Sequence, residues 1–386
     1  MTHETPRTRQ TPRTRQTPRT RQTPRAGHTL RTRAAAVVVV GLLPALAACG
    51  SGETPGADAS EPAPSSTVTL VTHDSWAVSE EVVAQFEAES GFTVKQVPMG
   101  DAGTLANQVV LTKDSPLGDV VFGIDNTFAS RVVDAGALEP HTPAGLPASA
   151  VPLVLGDGAL TPVTVGDVCV NTDAAWFEAE GIAEPETLED LTEPEFQDLM
   201  VALNPASSSP GMAFLLATIG AFGDDGFGGE GWTGYWAALR ANGLRITDSW
   251  SDAYYAEFSG GGEGGTRPIV VSYSTSPAFT TTEDGSASTT RALLGTCFRQ
   301  VEYAGILAGA ANPEGARALV DFLVSEPFQA DVPGQMYMYP ADSSIELPEE
   351  WLRFAPLSDS PFDVPPADIA AHREAWLDAW TAAVGA

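Results

Sequence analysis

A basic start, a short apolar run and a cysteine placed directly after small residues stand at the front of this chain. Together they fix which part of it is left to fold, and on which side of a membrane. Nine arginines precede the run 34–48 (AAAVVVVGLLPALAA), which ends in Leu46-Ala47-Ala48 before Cys49. These are the parts of a secretory signal. The run is about 15 residues long, short of the roughly 20 that span a bilayer as a helix, and Pro44 interrupts it.

Cysteine immediately after Leu-Ala-Ala resembles a lipobox. The resemblance implies that residues 1–48 are a signal peptide and that Cys49 carries lipid as the first mature residue. A plain secretory signal is the alternative. Residues 49–66 are Gly, Pro, Ser and acid with almost no apolar side chain, which reads as a flexible tether. The repeat Thr-Pro-Arg-Thr-Arg-Gln over residues 5–25 has no apolar face to bury. It reads as an overlong basic region of the signal, or as sequence upstream of the true start, rather than as a nucleic-acid arm.

Nine of the 20 basic and one of the 50 acidic side chains lie in residues 1–48, so the remainder carries 11 basic and 49 acidic groups, a net charge of −38. Such a surface repels nucleic acid and anionic lipid. It favours a cationic ligand modestly, and its plainest role is solubility. The 320 residues from 67 onward are long for one core and suit two lobes. Besides Cys49 only Cys169 and Cys297 remain. Outside the cytoplasm they suggest one disulfide; two buried thiols are the alternative.

Residues 68–72 (VTLVT) and 93–97 read as strands, and 119–124 (DVVFGI) reads as a strand buried on both faces. Helices are expected over 80–89, 104–111 and 127–135, with Gly91 and Gly136 as stops. Strand and helix alternate at the spacing of a parallel sheet covered on both faces. Further strands are expected at 163–170, 269–273 and 300–307, a helix start at 211–220, and helices at 313–324 and 366–383. In the last, Ile369, Trp376 and Trp380 fall on one stripe. Residues 223–231 and 260–265 are glycine-rich and read as loops.

Six segments carry a family resemblance over about residues 68–383. They are Val71-Thr72-His73-Asp74-Ser75-Trp76, Asp119-Val120-Val121-Phe122-Gly123-Ile124-Asp125-Asn126-Thr127, Asn204-Pro205-Ala206-Ser207-Ser208-Ser209-Pro210-Gly211, Trp250-Ser251-Asp252-Ala253-Tyr254, Val271-Ser272-Tyr273-Ser274-Thr275-Ser276-Pro277-Ala278-Phe279 and Tyr337-Met338-Tyr339-Pro340. In order and spacing they resemble the thiamine-binding subunits of bacterial ABC importers, a branch of the clamshell periplasmic binding proteins.

The resemblance implies a two-lobed α/β fold of the type II periplasmic-binding-protein kind, with a hinge and an interlobe cleft. Lobe 1 would hold residues 67–162 plus 300–345, and lobe 2 residues 163–299 plus 346–386. It implies a monomeric receptor outside the cytoplasm, tethered to the cell membrane through lipid. That receptor would pass thiamine or its phosphates to a permease driven by a separate ATPase, with no cofactor, metal or catalysis of its own.

The residue chemistry agrees with a flat cationic ligand. Ring faces attract cations, and by resemblance Trp250, Tyr273, Phe279 and Tyr337 supply them. In the family a tyrosine is common at the place of Phe279 and a tryptophan at that of Tyr337. Asp74, Ser75, Asp125 and Asn126 stand at strand ends, where open α/β sheets bind ligands. Ser207, Ser208 and Ser209 stand at a helix start, where backbone N–H groups favour a phosphate or hydroxyl. The alternatives are a core position for Trp250, a turn for Asp125-Asn126 and a helix cap for Ser207–Ser209. Two other functions compete. Tyr254-Tyr255 with His73 superficially offer the hard donors of a ferric iron-binding protein. A thiamine-degrading enzyme on the same scaffold would need a cleft thiolate, for which Cys169 is the candidate.

Overall fold

The computed structural model describes residues 66–385 apart from Glu263. The expected signal peptide, Cys49 and all but the last residue of the tether lie outside the described residues. No helix among the described residues is long and apolar enough to cross a membrane.

The chain opens as anticipated. Strand β1 (Thr67–Thr72) is followed by α1 (Glu80–Ser90), β2 (Thr93–Pro98), α2 (Ala102–Leu111) and β3 (Val120–Asp125). Helix α1 starts where the Ser79 hydroxyl accepts the Val82 N–H and ends at Gly91, whose φ of 74° closes it. All six residues of β3 are buried, as a continuous apolar run predicts for a strand covered on both faces. Strands β2, β1 and β3 pair in parallel in that order.

The remaining elements are α3 (Ala129–Asp134), β4 (Leu138–Glu139), β5 (Thr161–Asp173), α4 (Ala174–Glu180), β6 (Met200–Leu203), α5 (Ser209–Phe222), α6 (Gly231–Ala241), β7 (Arg245–Thr247), β8 (Ile269–Tyr273), β9 (Thr290–Leu307), α7 (Pro313–Leu323), α8 (Glu326–Met336), β10 (Tyr339–Pro340), α9 (Glu349–Phe354) and α10 (Pro366–Val384). One sheet runs β2-β1-β3-β9-β5-β8-β6-β7. Strands β8, β6 and β7 are parallel to one another. Between the two parallel groups lie β9 and β5, paired antiparallel from Thr161 opposite Ala304 to Asp173 opposite Thr290.

These two strands are longer than the sequence suggests. Strand β9 begins ten residues before the expected 300. Its first part alternates exposed, half-buried and buried positions without a clean period, so it lacks the pattern that marks a strand. Cys169 on β5 and Cys297 on β9 form a disulfide and are fully buried.

Apolar layers cover both sides of the sheet. Leu70, Phe86, Phe122, Leu319 and Phe328 pack beside the β1–β3 group. Val201, Phe214, Trp236, Val270 and Trp380 belong to the larger cluster, which includes the β6–β8 group. Trp236 is fully buried, its Nε1–H donates to the Thr218 hydroxyl at 2.9 Å, and its ring meets Phe214 edge-on. Truncating such a side chain costs about 3–5 kcal/mol. Ile369 and Trp380 of α10 are buried and Trp376 packs partly against the same cluster, as the stripe predicts.

The disulfide joins residues 128 apart in sequence. Replacing both cysteines with serine is expected to lower unfolding free energy by about 2–5 kcal/mol, chiefly by freeing the unfolded chain. Guanidinium unfolding of the two proteins measures this. An unchanged midpoint and slope would show that the bond contributes nothing.

Candidate functional site

A cleft of about 200 Å³ opens at the carboxyl ends of β1 and β8, beside Glu302 within β9, and is lined by residues from both parallel groups. Its aromatic wall grows from two short segments. Trp250 precedes a π-helical turn, Asp252–Glu257, that carries Tyr254 and Tyr255. Such turns widen the backbone spiral and often mark functional sites. Trp250 stacks on Tyr254 with centroids 4.9 Å apart, and meets Tyr255 and Tyr273 edge-on at 5.3 and 6.3 Å. Its Nε1–H donates to the Ser272 hydroxyl at 3.0 Å, which fixes the indole plane.

Opposite, Phe279 lies 3.6 Å from Tyr337, centroid to centroid. Tyr337 ends α8 with φ at 60°, in the left-handed region that bulky residues rarely adopt. The Thr275 hydroxyl donates to the Tyr337 carbonyl at 2.6 Å and helps hold this backbone in place.

The polar wall is acidic. Asp74, Asp101 and Glu302 line the cleft, and no Lys or Arg does so among the described residues. His73 faces Glu302 with Nε2 3.4 Å from Oε1. The other Glu302 oxygen accepts the Thr164 hydroxyl at 2.6 Å. Burial alone would lower the His73 pKa, but the hydrogen bond and charge of Glu302, with the charges of Asp101 and Asp74, outweigh it and leave it raised. The ring sits where it does because position 123 is glycine. A Cβ there would lie 2.1 Å from His73 Cδ2, and the φ of 99° suits glycine besides.

Asp101 is buried, which pushes its carboxyl pKa up against the lowering effect of its hydrogen bonds. Burial of the phenols raises Tyr273 well above its usual value and Tyr254 to about 12, so both rings remain neutral platforms.

Of the residues singled out from sequence, Asp74, Ser75, Trp250, Tyr273, Phe279 and Tyr337 line the cleft together. Four others do not line it. Asp125 is fully buried, accepting from the hydroxyls of Thr127 and Ser209 and from the Phe128 N–H. Asn126 bonds the Arg299 carbonyl and the Val301 N–H on β9. The Ser207 hydroxyl donates to the Asp248 carbonyl, and Ser208 caps α5 by accepting the Gly211 N–H. Strand ends and helix starts attract structural hydrogen bonds as readily as ligands, and at these four positions the chain itself is the partner.

Sequence reasoning assigned no ligand role to Asp101, Thr275, Ser276, Glu302, Met336 or Met338, all of which line the cleft; Ser209, the last of the three serines expected to meet a phosphate or hydroxyl, lines it too. Glu302, an acid interrupting the apolar run of β9, was a usable signal. The others come from loops and helix ends, which carry no periodic pattern. Tyr254 and Tyr255, given a role above only as candidate donors to ferric iron, also line the cleft. Cys169 does not, and its bond to Cys297 leaves no thiolate there.

A family model described as "bacterial extracellular solute-binding protein" matches residues 115–373. The chain belongs to this family. Among curated relatives of this solute-binding protein, the thiamine-binding periplasmic protein of Escherichia coli K12 is 27% identical over 324 residues, covering 82% of this chain and 93% of the relative. That of Brucella suis is 26% identical, covering 82% and 92%. A solved periplasmic thiamin binding protein superposes with a TM-score of 0.71 at 26% identity, covering 82% of this chain and 96% of that one. These relatives have the two-lobed periplasmic-binding-protein fold, and so does this chain. A ferric binding protein from Campylobacter jejuni, at 14% identity and a TM-score of 0.63, shares the fold.

Asp125 gives this solute-binding protein a pH signature. Burial, partly offset by the Ser209 and Thr127 hydroxyls, raises its pKa from 3.8 to about 7. Between those values the folded state binds more protons than the unfolded chain. Stability on this account therefore falls as pH rises through that window and is greatest below it. Thermal unfolding at roughly pH 4, 5, 6 and 7 is expected to show a shallower fall in Asp125→Asn than in the wild type. Parallel curves would overturn this assignment.

Proposed function

We propose that this solute-binding protein captures thiamine or one of its phosphates outside the cytoplasm. It hands the ligand to an ABC permease whose ATPase is a separate subunit, and it catalyses nothing itself. The observation that carries the reading is the cleft wall. Stacked and edge-on rings around Trp250 face Phe279 and Tyr337, while Asp74, Asp101 and Glu302 supply negative charge unopposed by Lys or Arg. A flat ring with a permanent positive charge is attracted both by ring faces and by the carboxylates. The relatives named thiamine-binding, similar over nearly their whole length, support the same ligand.

The lobes of this reading are residues 67–162 plus 300–345, and 163–299 plus 346–386. Strands β5 and β9 pass between them. Phe279 then belongs to one lobe and Tyr337 to the other, so their contact forms as the lobes close on the ligand. The protein works as a monomer, held at the membrane by lipid on Cys49.

Calorimetric titration of the purified full chain with thiamine tests the ligand, after bound solute has been removed by unfolding and refolding. One-to-one binding below about 1 µM, near −8 kcal/mol, is expected. Trp250→Ala and Tyr273→Ala are each expected to weaken it by about tenfold or more, as loss of a ring face against a desolvated cation implies. No heat of binding from a protein that is folded by circular dichroism would overturn the thiamine reading.

A further inference from the structure

The two sides of the cleft meet at the N-terminus of α5, through contacts that include residues outside the cleft wall. Gly103, in the first turn of α2, approaches the backbone of Ser207 so closely that a Cβ would lie 2.6 Å from the Ser207 carbonyl carbon and oxygen. The next residue, Thr104, donates its N–H to that carbonyl at 2.9 Å.

Asp101 occupies the N-cap position of α2 but makes no side-chain bond to its own helix. Its carboxylate reaches across instead. Oδ1 accepts the Ser209 N–H at 3.0 Å and Oδ2 the Trp250 N–H at 2.9 Å. Ser209 N–H belongs to the first turn of α5, where donors lack partners within the helix and a negative group is favoured. Behind it, the Ser209 hydroxyl donates to Asp125 at 2.5 Å and accepts from Gln300 at 2.9 Å. Asp101 and Asp125 stand on the β1–β3 side, and Ser209 and Trp250 on the β6–β8 side.

We propose that Asp101, seated by the Gly103–Ser207 approach, is a positioning residue that clasps the two sides of the cleft and sets how long a ligand stays. The clasp joins N–H groups that only the approach of the two sides brings to one carboxylate. It therefore acts on the closed form and not on first encounter. Its consequence rests on the thiamine reading only for the choice of ligand.

Two variants of the full chain test it. Gly103→Ala replaces no cleft-lining residue and suits a helix, but its methyl wedges against Ser207 and the tip of the Phe128 ring. Asp101→Asn keeps the shape and turns an amide NH₂ towards one of the two N–H donors. Stopped-flow tryptophan fluorescence with thiamine gives both rate constants. Each variant is expected to raise koff by about tenfold or more, equivalent to about 1.4 kcal/mol. The on-rate should stay within about threefold, as is usual when a contact forms after encounter.

Variants that merely loosened the fold would lower kon and Tm as well. An unchanged koff in folded variants, or a fall confined to kon, overturns the clasp. If Gly103→Ala does not fold, the ligand-free radius of gyration of Asp101→Asn decides, because that carboxylate also lines the cleft and its loss weakens a cation's hold directly. If wild-type protein binds no thiamine, the ligand reading fails and small-angle scattering decides the clasp. Ligand-free variants are expected to have a larger radius of gyration than the wild type, and equal radii overturn it.

Discussion

The antiparallel pairing of β5 with β9 is the contact on which the site depends. One group of three parallel strands flanks it on each side, and the three antiparallel steps from β3 through β9 and β5 to β8 make the two groups run in opposite directions. Helices and loops after parallel strands gather at the strands' carboxyl ends. A central antiparallel pair therefore lets two such ends face one another across a gap. Hydrogen bonds along thirteen residues of β5, with a buried disulfide between the same strands, hold the two groups in one register. The ligand chemistry is left to loops that can differ without disturbing that frame.

Charge gives the cleft its character more than shape does. Three carboxylates with one histidine as the cationic counterpart make a site that rewards positive charge. Rings stand beside the carboxylates, and Coulomb attraction strengthens wherever such rings exclude water. Burial pushes Tyr254 and Tyr273 away from ionisation. Those phenols therefore add face and edge to the site and no further charge. The strongly acidic surface of the chain beyond residue 48 has the same sign as the cleft, so a cation meets no opposing field on approach.

Much of this was legible in the sequence where a period or a cap spelled it out. The first five elements, the buried strand ending at Asp125 and the stripe Ile369–Trp376–Trp380 all follow from spacing. The aromatic residues of the site were legible through the resemblance. The start of β9 was hidden because half-buried positions blur a strand's alternation. Helix α8 was hidden because Pro327 and Pro333 sit within it. Asp101, to which the sequence assigned no role, shows a limit of a different kind. That its carboxylate serves another helix than the one it precedes is a fact of tertiary placement. Asp125, Asn126, Ser207 and Ser208 stand outside the cleft wall, where their polar groups bond neighbouring backbone and hydroxyls.

Gly123 has a consequence for how such a cleft changes its preferences. The space that its absent side chain leaves is filled by the imidazole of His73, so the back wall is a single replaceable plug set against bare backbone. A smaller residue at position 73 would open a chamber behind the acidic wall without moving a ring of the aromatic one. The glycine thus makes the depth of the site adjustable separately from its grip, and a lineage needing to hold a bulkier cation could gain the room in one exchange.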